Sequence, residues 1–180
     1  KNNGNGTFTD VTKHAGVAGG KECSVGAAWL DYDNDGLLDL YVGNYLFFDP
    51  DYKYYYAPDG FPGPMAYDSQ PDVLYHNKGN GVFEDVTKAM GIIDVDGRAM
   101  GVGAADYDDD GFVDIFVAND HSRSYLWHND AGKGFTDRAI MAGTAHGRSG
   151  ETTVDMRGVF SHFQCEGFGL TFCCWTRTVS

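Results

Sequence analysis

The sequence is poor in cysteine, proline and basic residues, and it contains no long apolar run. Its 180 residues include 4 Cys, 5 Pro and 13 Lys or Arg. Because no apolar stretch approaches the ~18 residues of a membrane-spanning helix, we expect no membrane span. The formal net charge of −13 argues against a nucleic-acid partner, because phosphates repel an acidic protein.

The cysteines form no recognisable metal or disulfide pattern. They are Cys23, Cys165, Cys173 and Cys174, and none belongs to a Cys-x-x-Cys pair or to a zinc-type spacing with histidine. Three of the four lie in the last sixteen residues, so the main body holds a single thiol and cannot be a disulfide scaffold. The six histidines are scattered, and we expect each to be structural or solvated. The sequence also has no nucleophile elbow, His-Glu-x-x-His helix or Walker loop, so we predict that the protein is not an enzyme.

Aspartate and glycine are in excess. The chain has 22 Asp against 4 Glu, and 25 Gly. Glutamate favours helices, whereas aspartate favours turns, caps and metal loops. With 14% aromatic residues, this composition predicts many short strands joined by turns rather than a helical bundle.

An internal repeat organises the chain. The segment Phe8–Val17 recurs as Phe83–Ile92, and Asp31–Asp39 recurs as Asp106–Asp114, both at an offset of 75 residues. A third start, at Gly134-Phe135-Thr136-Asp137, follows Phe83 after only 52 residues.

The difference of 23 residues matches a Tyr- and Pro-rich stretch, Tyr45–Tyr67, which is an insertion in the first unit. Aromatic loops of this kind are typical recognition surfaces. We predict a protein or glycan ligand at Tyr54, Tyr55 and Tyr56. The alternative is a loop that buries its own rings against the sheet.

Each unit is predicted to contain four short strands, with a hairpin turn at Asn80-Gly81. The predicted strands are 25–32, 38–44, 73–77 and 82–87 in the first unit, and 102–107, 113–119, 125–129 and 134–138 in the second. Four strands in roughly 50 residues, repeated, are typical of a β-propeller blade; a generic β-sandwich is the alternative. We predict an all-β fold of four-stranded antiparallel blades in an incomplete propeller, because a propeller closes with about four to eight blades.

The pattern Asp-x-Asp-x-Asp-Gly-x-x-Asp occurs twice and predicts two Ca²⁺ sites. Calcium takes six to eight oxygen ligands, and four carboxylates in nine residues would repel one another without a cation. Positions 1, 3, 5 and 9 supply carboxylates, with position 9 bidentate, and position 7 supplies its backbone carbonyl. The predicted ligands are Asp31, Asp33, Asp35, Leu37 and Asp39 in the first loop, and Asp106, Asp108, Asp110, Phe112 and Asp114 in the second.

These loops are not EF-hands. An EF-hand needs Glu at position 12, where this chain has Val42 and Val117 within predicted strands. Strand–loop–strand sites are therefore expected. An Asp- and Gly-rich turn without an ion is the alternative, and magnesium is less suited because it resists dehydration.

The acidic loops, the segment Asp39–Asn44, and the run from Leu74 to Phe83 resemble FG-GAP/VCBS-type repeats. The resemblance is strongest to the cartilage acidic protein and ASPIC/UnbV group, and it covers roughly residues 3 to 150. In that group, similar repeats form a calcium-binding β-propeller like the integrin α-subunit head. The resemblance implies a secreted or cell-surface protein that acts in adhesion or matrix contact, with calcium in a structural role.

Other functions stay open as alternatives. A carbohydrate-binding propeller is one, and the non-catalytic repeat region of a larger secreted enzyme is another. We expect the repeats to span residues 1–150 and a divergent tail to span 151–180, because the third acidic loop expected near position 158 is missing. A truncated or out-of-frame end is one hypothesis for this tail.

Overall fold

The computed structural model describes residues 1–52 and 63–146. In these ranges the chain forms eight strands in two sheets, with two four-residue helices and a short 3-10 turn at Pro64–Ala66. The helices are α1 (Thr12–Ala15) and α2 (Ala139–Ala142). Blade 1 consists of β1 (Ser24–Leu30), β2 (Asp39–Asn44), β3 (Val73–Asn77) and β4 (Phe83–Asp85). Blade 2 consists of β5 (Ala99–Ala105), β6 (Asp114–Asn119), β7 (Tyr125–Asn129) and β8 (Phe135–Asp137).

Both blades are antiparallel meanders, with strand orders β1-β2-β3-β4 and β5-β6-β7-β8. The first strand of each carries a β-bulge at the same place, between Ser24 and Gly26 in blade 1 and between Ala99 and Gly101 in blade 2. The prediction of four-stranded antiparallel blades is confirmed. Within the described ranges the two blades do not close a ring, so the propeller is incomplete.

The first strand of each blade ends two residues earlier than predicted, because the acidic loop has already begun. The Tyr32 N–H donates to Asp39 Oδ2 at 3.2 Å, and the Tyr107 N–H donates to Asp114 Oδ2 at 3.0 Å. These amides therefore bond to a loop carboxylate instead of a neighbouring strand. In blade 2 the first strand also begins earlier than predicted, where Ala99 pairs with Asn119.

The fourth strand of each blade, its outer strand, is also shorter than predicted. Here too an Asp side chain accepts a backbone N–H group that a longer strand would use for pairing. In β4, Asp85 Oδ1 accepts the Thr87 N–H at 3.0 Å. In β8, Asp137 Oδ1 accepts the Ala139 N–H at 3.0 Å and so starts the turn into α2. An Asp side chain that bonds two residues ahead favours a turn over a continued strand.

The main core lies between the blades. Tyr41 and Leu74 of blade 1 pack against Ile115, Val117 and Trp127 of blade 2, and all five are buried. The blades approach each other closely at Gly43, where an added Cβ would lie 2.8 Å from Val102 Cγ2. Strand alternation accounts for this packing, because residues two apart on β2 or β6 face the same side of the sheet.

The predicted hairpin turn is present between β3 and β4. The Val82 N–H donates to the Gly79 carbonyl at 3.2 Å. The two central residues, Asn80 and Gly81, have φ of 57° and 76°. This left-handed conformation is the one that an Asn-Gly pair adopts most readily.

Candidate metal centre

The loop between β1 and β2 is folded by its own carboxylates. Asp31 accepts the Asp35 N–H at 3.1 Å on one oxygen and the Gly36 N–H at 2.9 Å on the other. Asp35 Oδ1 accepts the Leu37 N–H at 2.8 Å. Oxygens of Asp31, Asp33 and Asp35 consequently lie within 4.8 Å of one another.

The loop between β5 and β6 repeats this arrangement. Asp106 accepts the Asp110 N–H at 3.1 Å and the Gly111 N–H at 2.8 Å, and Asp110 Oδ1 accepts the Phe112 N–H at 2.9 Å. Asp106, Asp108 and Asp110 form the corresponding group of three carboxylates. The matching hydrogen bonds show that the nine-residue pattern adopts the same conformation in both blades.

Two loop positions need a left-handed backbone. The fourth position has φ of 59° in both loops, at Asn34 and Asp109. The sixth has φ of 86° at Gly36 and 90° at Gly111. Asn and Asp tolerate this conformation and Gly adopts it without a steric cost, which explains the residue types at these positions.

The closing aspartates have a different environment from the other loop carboxylates. Asp39 is fully buried, and its oxygens accept N–H groups of Tyr32 at 3.2 Å and Asn77 at 2.8 Å. Asp114 is bonded in the same way to Tyr107 at 3.0 Å and Asn129 at 2.8 Å. Burial raises the pKa of both carboxyls, and the backbone hydrogen bonds oppose that rise.

These aspartates belong to a second group of ligand atoms in each blade. Asp39 lies with Asp33 and His76, and Asp114 lies with Asp108 and His128. Position 3 of each loop is therefore shared between two groups. The position-7 carbonyls of Leu37 and Phe112 stay predicted ligands, as does bidentate binding by Asp39 and Asp114.

Sequence reasoning did not single out His76 and His128. They occupy equivalent places at the end of the third strand, in Leu74-Tyr75-His76-Asn77 and Leu126-Trp127-His128-Asn129. The recurrence of Leu-x-His-Asn at the repeat offset of 52 residues is the signal that identifies them. Each ring packs edge-on against a tyrosine of the adjacent acidic loop, Tyr32 or Tyr107, with centroids 5.8 and 6.0 Å apart.

The two acidic loops lie side by side. Asn34 Nδ2 of the first loop donates to the Gly111 carbonyl of the second at 3.1 Å. Asn129 Nδ2 donates to the Tyr32 carbonyl at 2.8 Å and to the Val113 carbonyl at 3.0 Å. One side chain thus holds both loops. The buried Tyr32 hydroxyl has its pKa raised to about 12, by burial first and then by Asp33 and Asp39.

The family model of the FG-GAP-like repeat matches residues 1–42 and 65–117, more than half of the chain. The chain belongs to the FG-GAP-like repeat family. The sequence-based resemblance is therefore confirmed. The match is interrupted at residues 43–64, which overlap most of the insertion predicted at Tyr45–Tyr67. The repeats of this family are of propeller type, in agreement with the two blades.

Individual relatives are similar over a shorter segment. Cartilage acidic protein 1 of Xenopus tropicalis and that of Mus musculus are each 40% identical over 65 residues, and the Homo sapiens protein is 38% identical over the same length. The aligned segment is 35% of this chain and spans about 10% of the length of each relative.

Two predicted regions lie outside the described residues. They are the aromatic loop at Tyr54, Tyr55 and Tyr56, and the tail at residues 151–180. The domain division at residue 150 therefore stays a prediction. No helix within residues 1–52 and 63–146 is long and apolar enough to cross a membrane.

Proposed function

We propose that this FG-GAP-like chain binds one Ca²⁺ ion at each acidic loop and serves as an extracellular module for adhesion, matrix or other protein contacts. Calcium has a structural role in this proposal. It neutralises the loop carboxylates and fixes the turn between the first two strands of each blade. Because the two loops touch, the ions also stabilise the packing of blade 1 against blade 2.

The observation that carries the proposal is the convergence of three carboxylates in each loop. Three like charges within 4.8 Å repel one another unless a cation lies between them. In the first loop, Asp33 Oδ1 is buried and has no hydrogen-bond partner. A buried acceptor without a partner costs about 1–3 kcal/mol, and a bound cation would remove this penalty.

The donor set favours calcium among common ions. Carboxylate and backbone oxygens are hard ligands, and calcium accepts six to eight of them in irregular geometry. Extracellular calcium modules bind with dissociation constants of ~10⁻⁴ to 10⁻³ M. Saturation then stabilises the fold by only about 1–2 kcal/mol per site, which suits a protein exposed to a calcium-rich medium.

Partner recognition is assigned to the predicted aromatic loop. The proposal places a protein ligand at Tyr54, Tyr55 and Tyr56, with a glycan ligand as the alternative. A glycan array comparing the wild-type chain with the triple Tyr→Ala variant separates these two ligands. No catalytic step is proposed, because the adjacent carboxylates Asp108 and Asp109 belong to a loop whose geometry suits a metal ion.

Thermal unfolding tests the calcium sites. We expect EDTA to lower the melting temperature by about 2–8 °C per site and added calcium to restore it. Asp106→Asn removes a carboxylate that organises the second loop, so this variant should show roughly half of the calcium-dependent shift. Asp109→Asn is the matched control, because the first loop already has Asn34 at that position.

Two results would contradict the proposal. One is a melting temperature that is the same in EDTA and in calcium. The other is an equal loss of the calcium response in Asp106→Asn and Asp109→Asn, which would show that bulk charge rather than the loop geometry is responsible.

A further inference from the structure

The imidazole of His128 has a buried nitrogen that lies next to carboxylates of the second acidic loop. His128 is only 6% exposed, and its Nδ1 makes no hydrogen bond. This atom lies 3.2 Å from Asp114 Oδ1 and 3.4 Å from Asp108 Oδ2. Buried polar atoms are nearly always paired in folded proteins, so the position of Nδ1 calls for a partner.

The spacing of these three atoms fits a small divalent ion. Zinc binds histidine nitrogen and carboxylate oxygen at about 2.0–2.2 Å. Two ligands of a tetrahedral ion at that distance lie about 3.4 Å apart, which matches the separations of Nδ1 from the two carboxylate oxygens. An ion at the centre of this group would give the unpartnered nitrogen its partner.

The surroundings orient the ring and one carboxylate for such a bond. His128 Nε2 lies 3.7 Å from Asp130 Oδ1 on the opposite side of the ring, so a carboxylate lies behind the ring as seen from Nδ1. Metal-binding histidines commonly have a carboxylate behind them in this way. Asp114 is fixed by backbone N–H groups, and each oxygen keeps a second lone pair.

We propose that Asp108, Asp114 and His128 form a binding site for a divalent transition-metal ion such as Zn²⁺, Co²⁺ or Mn²⁺, beside the calcium position of the second loop. Imidazole suits these ions, whereas calcium prefers oxygen ligands alone. The Asp108 side chain is 31% exposed, which gives an ion a path from solvent. Asp108 and Asp114 are also predicted ligands of the calcium loop, so these two carboxylates are shared between the two positions. The transition-metal site does not require calcium to be bound.

Blade 1 contains a weaker counterpart of the same group. His76 Nδ1 lies 3.2 Å from Asp39 Oδ1 and 3.6 Å from Asp33 Oδ2. However, its side chain is 26% exposed, and its Nδ1 already forms a hydrogen bond with Asp39. Water and that hydrogen bond compete with an ion here. The second blade should therefore have the tighter site, and His76 provides an internal comparison.

The test is a CoCl₂ titration of the full chain, followed by visible absorption, after the cysteine thiols have been alkylated. We expect one tight equivalent of Co²⁺, displaced by ZnCl₂. His128→Gln should weaken it by at least about tenfold, whereas His76→Gln should leave it unchanged. Asp130→Asn should weaken binding by about 10–100-fold without removing a ligand, and it provides a second variant if His128→Gln does not fold.

Calcium binding by the same variants separates this proposal from the calcium sites. We expect His128→Gln to retain its calcium stoichiometry while it loses the tight Co²⁺ equivalent. Absence of Co²⁺ uptake by the wild-type chain, or equal uptake by wild type and His128→Gln, would overturn the transition-metal site alone. Loss of calcium binding with Co²⁺ uptake retained would overturn the calcium proposal alone.

Discussion

Asp72 is a carboxylate enclosed by the fold and separate from the acidic loops. Its side chain accepts the Tyr41 hydroxyl at 2.7 Å and the Asn44 N–H at 2.8 Å. Burial, followed by the nearby charge of Asp94, raises the pKa of this group to about 7. At neutral pH the fold therefore contains a carboxyl group that is only partly ionised.

The raised pKa predicts a pH dependence of stability. The unfolded chain releases this proton near pH 3.8, whereas the folded chain retains it to about pH 7. The contribution to the free energy of unfolding is thus present below about pH 4 and is lost as the pH rises to 7 and beyond. Asp72→Asn should remove this dependence and be the more stable protein above pH 7.

Urea unfolding of both proteins across pH 4 to 8 in EDTA checks this prediction, since EDTA removes the separate effect of pH on calcium binding. The wild type and Asp72→Asn should converge in relative stability towards pH 4 and diverge towards pH 8. Parallel pH profiles would show that Asp72 has an ordinary pKa in the folded state.

Equivalent strands of the two blades have different environments, although their sequences repeat. Val117 of β6 is fully buried between the blades. Its counterpart Val42 of β2 lies on the face of blade 1 that points away from the inter-blade core, and it is half-buried. Trp29, on that same face of blade 1, is 57% exposed. Strand register is the same in both sheets, so the neighbouring blade accounts for the difference.

This matched pair predicts unequal costs for the same substitution. Val117→Ala should lower the free energy of unfolding by roughly 2 kcal/mol, because it removes two buried carbon groups and leaves a cavity. Val42→Ala should cost clearly less, because solvent already reaches that side chain. Urea unfolding in saturating calcium measures both. Equal losses would mean that the face of blade 1 carrying Val42 is covered in solution.

The repeat made the strands and loops predictable from local sequence. Alternating apolar residues identify β2 and β6, and Asn80-Gly81 identifies its turn, because both depend on residues close in the chain. The ends of the first strands were not predictable in this way. The N–H groups of Tyr32 and Tyr107 donate to the carboxylates of Asp39 and Asp114 instead of to a neighbouring strand. The approach of His128 to Asp108 depends on pairing between strands, and only the fold reveals it.

At the scale of the whole molecule, the N-terminal segment corresponds in sequence to the fourth strand of a blade. The described residues contain no other strand of that blade. Phe8-Thr9-Asp10 repeats Phe135-Thr136-Asp137, yet Phe8 is 75% exposed whereas Phe135 is 5% exposed. No strand of the described residues pairs with Phe8 beyond an isolated bridge to Asn2. The described residues therefore contain two full blades and an outer segment of a third.

The two blades bring their acidic loops to one end of the inter-blade core, where Asn34 contacts Gly111 and Asn129 contacts Tyr32. The proposed ions thus act at the junction of the blades. Calcium should therefore stabilise both blades together, because each ion would lie beside the contact between them.

The number of calcium ions bound per chain tests this account most directly. Isothermal titration calorimetry of the EDTA-treated, dialysed chain should give two ions for the wild type. The double variant Asp31→Asn, Asp106→Asn should bind none, while far-UV circular dichroism shows that its strands are retained. A wild-type chain that binds no calcium, or a double variant that still binds two ions, would contradict the central claim.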